Sequence, residues 1–144
     1  MLGDLMADSH LFDLLDSEGR NRLDQIAEVR TFQAGATVME EGEVGDAFYL
    51  LLDGEADVEA SDFTETPRDV ARLTPGHVFG EIAALTGEPR TATVVAKTSL
   101  KVHRFEASAV FKILDDYPDV VEALKRLGIA RSEELMARLQ EDEP

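Results

Sequence analysis

Gly80 and Glu81 open a short apolar run, Ile82-Ala83-Ala84-Leu85, which Gly87-Glu88-Pro89 ends and Arg90 follows at once. Thr74-Pro75-Gly76 reads as a turn, Val78-Phe79 as a short strand, and Gly80-Glu81 as the start of one brief helical turn. Without a side chain, Gly80 lets another molecule approach the backbone closely. The N–H groups of Glu81, Ile82 and Ala83 would face outward at the helix start, where a phosphate is readily held. Arg90, opening the next strand, can return across the turn with a forked cationic donor. Glu81 is the odd member, a carboxylate beside an anion site. It is explained if it accepts hydrogen bonds from a neutral hydroxyl such as that of a ribose. Together these residues describe a phosphate joined to a sugar hydroxyl.

Each residue also has a plainer explanation. Arg90 could be a surface arginine at a strand start, paired with Glu88 or Glu81. Glu81 could be a first-turn acid favoured by the helix dipole, worth about 0.3–1 kcal/mol. Thr91 carries a hydroxyl next to Arg90, but threonine is also simply a good strand residue. Gly42, Gly45 and Gly54 read as turn glycines needed by the fold rather than by a ligand.

Elements on either side must position this segment. From His10 to Glu28, Leu11, Leu14, Leu15, Leu23, Ile26 and Ala27 recur at helical spacings, and Ser17, after Asp16, is placed to cap a second short helix. From Val29 to about Phe105 brief β-rich runs alternate with turn signals: Val29–Gln33, Thr37–Glu40, Ala47–Asp53, Ala56–Ala60, Asp69–Thr74, Ala92–Ala96 and Ser99–Phe105. Many short strands with such turns predict a sandwich or rolled barrel, not a parallel α/β sheet. From Glu106 the period is helical again. Val110, Phe111 and Leu114 share a face before Tyr117-Pro118 interrupts, and a last helix near Asp119 carries Val120, Leu124, Leu127, Leu135 and Leu139 on one stripe. The expectation is one domain over residues 1–144: helices at 10–28, a mainly β, antiparallel roll at 29–105, and helices at 106–140.

Composition narrows the partners. The chain has 144 residues, 30 of them acidic and 14 basic, for a net charge of −16. Nucleic-acid polymers and anionic membranes are therefore poor partners, since both need clustered Lys and Arg. No cysteine is present, which removes disulfides, thiolate metal sites and thiol nucleophiles and fits a reducing compartment. The N-terminus lacks the basic start and apolar stretch of a signal peptide, and the longest apolar run, Ala47 to Leu52, is too short to cross a bilayer. A cytoplasmic location follows as the default. The histidines, His10, His77 and His103, are scattered singly, unlike the close His and carboxylate spacing of barrel metalloenzymes, so no metal or catalytic residue is expected.

The run Phe79-Gly80-Glu81-Ile82-Ala83-Ala84-Leu85, followed by Pro89-Arg90-Thr91-Ala92-Thr93-Val94, resembles the phosphate-binding cassette of cyclic nucleotide-binding domains. Such domains occur in protein kinase A regulatory subunits, cyclic nucleotide-gated channels and catabolite activator-type regulators. Ala84 stands beside Leu85 where the family usually has two large apolar residues. Gly42, Gly45-Asp46, Phe48-Tyr49 and Gly54 resemble a second family stretch that shapes the front of its β-roll. Two ordered motifs in one small domain are far more specific than a lone glycine pattern.

The resemblance implies an antiparallel jelly-roll barrel with N-terminal helices and two C-terminal helices, the last a lid. It implies cAMP or cGMP as ligand, with no further cofactor. Arg90 would pair with the cyclic phosphate and Glu81 would bind the ribose 2′-hydroxyl. The N–H groups of Ile82 and Ala83, with Gly80 for clearance, would complete the cradle. Thr91 could reach the phosphate or a guanine amino group, and is compatible with either base. Arg131 and Leu135 are implied base contacts from the lid, although an Arg131 with its stem on apolar surface and its head in water is the more ordinary reading. Function would be that of a regulatory sensor in signal transduction, moving its C-terminal helices for a protein partner or effector domain, with pairing of two copies through the C-terminal helix left open. A scaffold of the same fold without ligand is the alternative, and a cupin-like enzyme a more distant one. These 144 residues leave no room for a helix-turn-helix of several dozen residues, so the expectation is a domain acting in trans on a partner, slightly favoured by Met1, or an excised piece of something longer.

Overall fold

A computed structural model of the chain describes residues 10–61 and 67–126. Two short helices, α1 (His10–Leu14) and α2 (Ser17–Ile26), precede the strands β1 (Glu28–Phe32), β2 (Thr37–Met39), β3 (Ala47–Asp53), β4 (Ala56–Ser61), β5 (Pro67–Leu73) and β6 (Val78–Phe79). Helix α3 (Glu81–Thr86) then interrupts, before β7 (Thr93–Ala96), β8 (Leu100–Glu106), α4 (Ala107–Leu114) and α5 (Pro118–Arg126). The strands form two antiparallel four-stranded sheets, ordered β1-β8-β3-β6 and β2-β7-β4-β5. The expected mainly β architecture with flanking helices is what the chain adopts. The expected continuation of the last helix past Arg126, with Arg131 and Leu135, falls outside the described residues.

Strand β3 shows why these runs become strands. Ala47, Phe48, Tyr49 and Leu51 are all buried, because β3 has apolar matter on both faces. Tyr49 and Leu51 point between the sheets, with Val58, Phe79, Val94, Leu100 and Val102. Phe48 points the other way, into a cluster with Leu11, Leu23, Phe105, Phe111 and Leu124 that carries the helices. Phe48 and Phe105 are register partners whose rings stack at 4.9 Å, and Phe12 sets its edge against both. Aromatic pairs of this kind contribute about 0.5–1.5 kcal/mol beyond the area they bury. The six-residue apolar run is thus a doubly buried strand.

Two local expectations need correction. Asp16, not Ser17, caps α2: its carboxylate accepts from the Gly19 N–H at 2.8 Å, and Ser17 is the first helical residue. Aspartate and serine both cap well, so the pair is not ordered by type. Arg90 does not open β7, which begins only at Thr93. Its backbone instead serves the β2–β3 loop, with Arg90 N–H donating to Glu43 O at 2.7 Å and Gly42 N–H to Arg90 O at 2.9 Å.

The helices before and after the sheets are tied to each other. Arg22 donates to Asp116 at 2.8 Å and lies over the Tyr117 ring, and the Tyr117 hydroxyl donates to Asp16 at 3.3 Å. Pro118 begins α5, where its missing N–H costs nothing. Among the described residues no helix is long and apolar enough to cross a membrane.

Candidate functional site

Helix α3 has only six residues and is bounded by two glycines in the left-handed region, Gly80 (φ 80°) and Gly87 (φ 75°). Its first helical hydrogen bond runs from Ala84 N–H to Gly80 O, so the N–H groups of Glu81, Ile82 and Ala83 precede the helical ladder. Thr86 secures the far end: its hydroxyl donates to Ile82 O at 2.7 Å and accepts from the Glu88 N–H at 3.2 Å. Gly87 closes the turn by donating to Ala83 O at 2.9 Å.

Arg90 folds back over the start of this helix. Its side chain is almost wholly buried, with Nη2 donating to Ala47 O at 2.7 Å and Nη1 reaching Gly80 O at 3.4 Å. A Cβ at position 80 would sit 2.7 Å from Arg90 Nη1 and 3.2 Å from Met39 Sδ. The clearance at Gly80 is therefore filled by the protein's own arginine, on top of the positive φ that glycine tolerates. Burial pulls the Arg90 guanidinium below its ordinary value, while Tyr49, Asp46 and Glu43 push the other way and Arg104 adds to the lowering. Arginine nonetheless stays a cation at neutral pH.

The residues singled out in the sequence come together unequally. Gly80, Glu81, Ala83 and Arg90 are neighbours at the start of α3, and Glu81 and Ala83 are buried. Ile82 exposes its side chain, so only its backbone N–H belongs to the cradle, and Thr91 is exposed beside Arg90. Arg131 and Leu135 lie outside the described residues. Among the described residues no three His, Asp or Glu side chains are arranged to hold a metal ion.

Two positioning residues were not apparent from sequence. Ala47 contributes a carbonyl that seats Arg90, and no side-chain signal could have announced it. Gly45 packs directly on α3: a Cβ there would lie 2.7 Å from the Ala83 carbonyl carbon and 2.9 Å from Ala84 N. Its φ is not in the left-handed region, so Gly45 is required by close approach and not by a turn. In the sequence Gly45 reads as a turn glycine and as part of the second family stretch, and neither reading announces contact with α3.

The fold thus sets a short helix, a buried arginine and a buried acid side by side beside two antiparallel sheets. Residues 29–117 match the model of the cyclic nucleotide-binding domain, and the chain belongs to that family. It is 33% identical over 140 residues to a cAMP-dependent protein kinase regulatory subunit of Colletotrichum orbiculare, an alignment covering 97% of this chain and 35% of the relative. Among solved structures, the N-terminal domain of a transcriptional regulator from Streptomyces coelicolor superposes with a TM-score of 0.71 at 28% identity, covering 82% of this chain and 84% of that one. The regulatory domain of Toxoplasma gondii protein kinase A, crystallised with cAMP, gives 0.68 at 29% identity over 79% of this chain and 44% of that one. The chain thus spans about a third or less of the length of the curated relatives it matches.

Proposed function

We propose that the chain is a sensor of cAMP or cGMP that acts without catalysis. The observation that carries this reading is the placement of Arg90, buried and held by Ala47 O and Gly80 O across the start of α3. In this reading Arg90 pairs with the cyclic phosphate, the N–H groups of Ile82 and Ala83 complete the cradle, and Glu81 accepts from the ribose 2′-hydroxyl. Thr91 reaches the phosphate or the base from the exposed side of Arg90. Arg131 and Leu135 meet the base from the last helix, whose movement on binding passes the signal to a protein partner or effector domain in the cytoplasm. The whole chain, residues 1–144, acts as one such domain.

Titration calorimetry with each nucleotide tests this directly. The expected affinity is micromolar or better, about −8 kcal/mol. No heat and no rise in melting temperature with either nucleotide at millimolar concentration would leave a scaffold of the same fold without ligand. The role of Glu81 has its own test. A 2′-deoxy cyclic nucleotide is expected to bind the native protein about tenfold more weakly, ~1.4 kcal/mol. Glu81→Ala should then bind the ribo and deoxy forms equally, and a persisting difference would move Glu81 away from the ribose.

A further inference from the structure

Four residues stand in one cross-strand row on the inner face of the first sheet. Register pairs Glu28 of β1 with Arg104 of β8, Arg104 with Tyr49 of β3, and Tyr49 with Phe79 of β6. Phe79 and Tyr49 stack at 5.2 Å, and Phe79 is followed at once by Gly80 and Glu81. The row therefore crosses the sheet at the end where Arg90 is seated on Ala47. Arg104 is out of keeping with its neighbours. Leu100 and Val102, the preceding inward positions of β8, belong to the apolar core between the sheets. Packing alone would place another apolar side chain next, not a guanidinium whose side chain is only 21% exposed.

The charges around Arg104 are those of a held cation. Its Nη1 donates to Glu28 Oε1 at 2.9 Å, its Nη2 lies 4.0 Å from Asp46 Oδ1, and Glu28 Oε2 also accepts from Arg30 Nη2 at 2.9 Å. Arg90 and Arg104 each lie within the field of Asp46 and Tyr49, and Arg104 acts on Arg90 as a like charge. Two like charges that act on each other both gain from an anion within their common field. In a chain carrying −16, a local positive field strong enough to draw in an anion also gains from more than one cation.

Resting on the cyclic nucleotide reading, we propose that Arg104 is a second phosphate-directed cation of the binding site. Glu28 is its resident counter-ion, and the ligand's phosphate competes with Glu28 for it. The competition fixes opposite signs for two substitutions. Arg104→Gln is expected to weaken nucleotide binding roughly fivefold, the scale of one partly exposed charge. Glu28→Gln releases Arg104 and is expected to tighten binding about two- to threefold, on the same scale. The double variant should follow Arg104→Gln.

Calorimetric titration of the native chain and the three variants with cAMP and with cGMP decides the matter, alongside melting temperatures. If the native chain binds and both single variants bind equally well, the pair is only a tie between β1 and β8, and this proposal falls while the ligand reading stands. If both single variants lose affinity together, competition is likewise overturned. If none of the four proteins gives heat, both readings fall. Should Arg104→Gln not fold, Glu28→Gln decides alone: tighter binding supports the competition, and unchanged or weaker binding overturns it.

Discussion

Arg90→Ala is expected to weaken cyclic nucleotide binding by about two orders of magnitude, ~3 kcal/mol, the upper range for hydrogen bonds to a charged group. The size follows from where the guanidinium sits. It is almost wholly buried, so its attraction for an anion is screened less than that of a surface arginine. It is also a major cation in a region that holds Glu43, Asp46 and Glu81, so the protein's own field opposes the ligand once it is gone. Arg90→Lys should recover only part of the loss, since an ammonium restores the charge but not the planar fork. Calorimetry supplies the affinities, and a melt of each variant separates binding from folding, because Arg90→Ala takes from Ala47 O its 2.7 Å donor. An Arg90→Ala protein that folds and keeps native affinity would take this arginine out of the site.

Gly45→Ala should lower stability by about 1–3 kcal/mol, the usual range for overpacking a filled site. At position 45 the φ angle suits alanine, so the cost is steric. The new methyl would sit 2.7–2.9 Å from the backbone and Cβ of Ala83 and the nitrogen of Ala84. A helix backbone cannot swing aside as a side chain can. Either the β2–β3 loop or α3 must shift, and the N–H groups of Ile82 and Ala83 move away from Arg90. Nucleotide affinity should therefore fall with stability. Gly42→Ala makes the contrast: its φ of 90° strains alanine, but no atom lies within 4 Å of the added carbon. It is expected to cost about 1 kcal/mol and leave affinity intact. Thermal melts of both variants, each with and without nucleotide, make the comparison. Equal affinity losses would show that loop strain, not contact with α3, controls the site.

Most of the architecture was legible because it rests on short-range patterns. The apolar run of β3, the alternation in β7 and β8, and the glycine and proline punctuation between strands all follow from local geometry. The run from Phe79 to Val94 likewise carries the resemblance to the family to which the chain belongs. What stayed hidden depends on residues far apart in the chain. The seating of Arg90 on Ala47 O spans 43 residues and uses a backbone atom, which has no letter in a sequence. The close contact of Gly45 with α3 looks the same in sequence as a turn glycine. The row from Glu28 to Phe79 appears only once strand register is known, because a shift of one residue would turn Arg104 to the other face.

The seating of Arg90 also bears on the thermodynamics of recognition. Immobilising a long side chain removes rotamer freedom worth about 1.5–2 kcal/mol, a loss usually incurred when a ligand arrives. Here the guanidinium is already ordered on two carbonyls, so that entropy is surrendered during folding. Of its five N–H groups these contacts use two. The stronger anchor, Ala47 O, is part of the main chain, and substituting the alanine side chain cannot delete it. The seating can therefore change through Arg90, Gly80 or the path of β3, but not through the side chain at position 47.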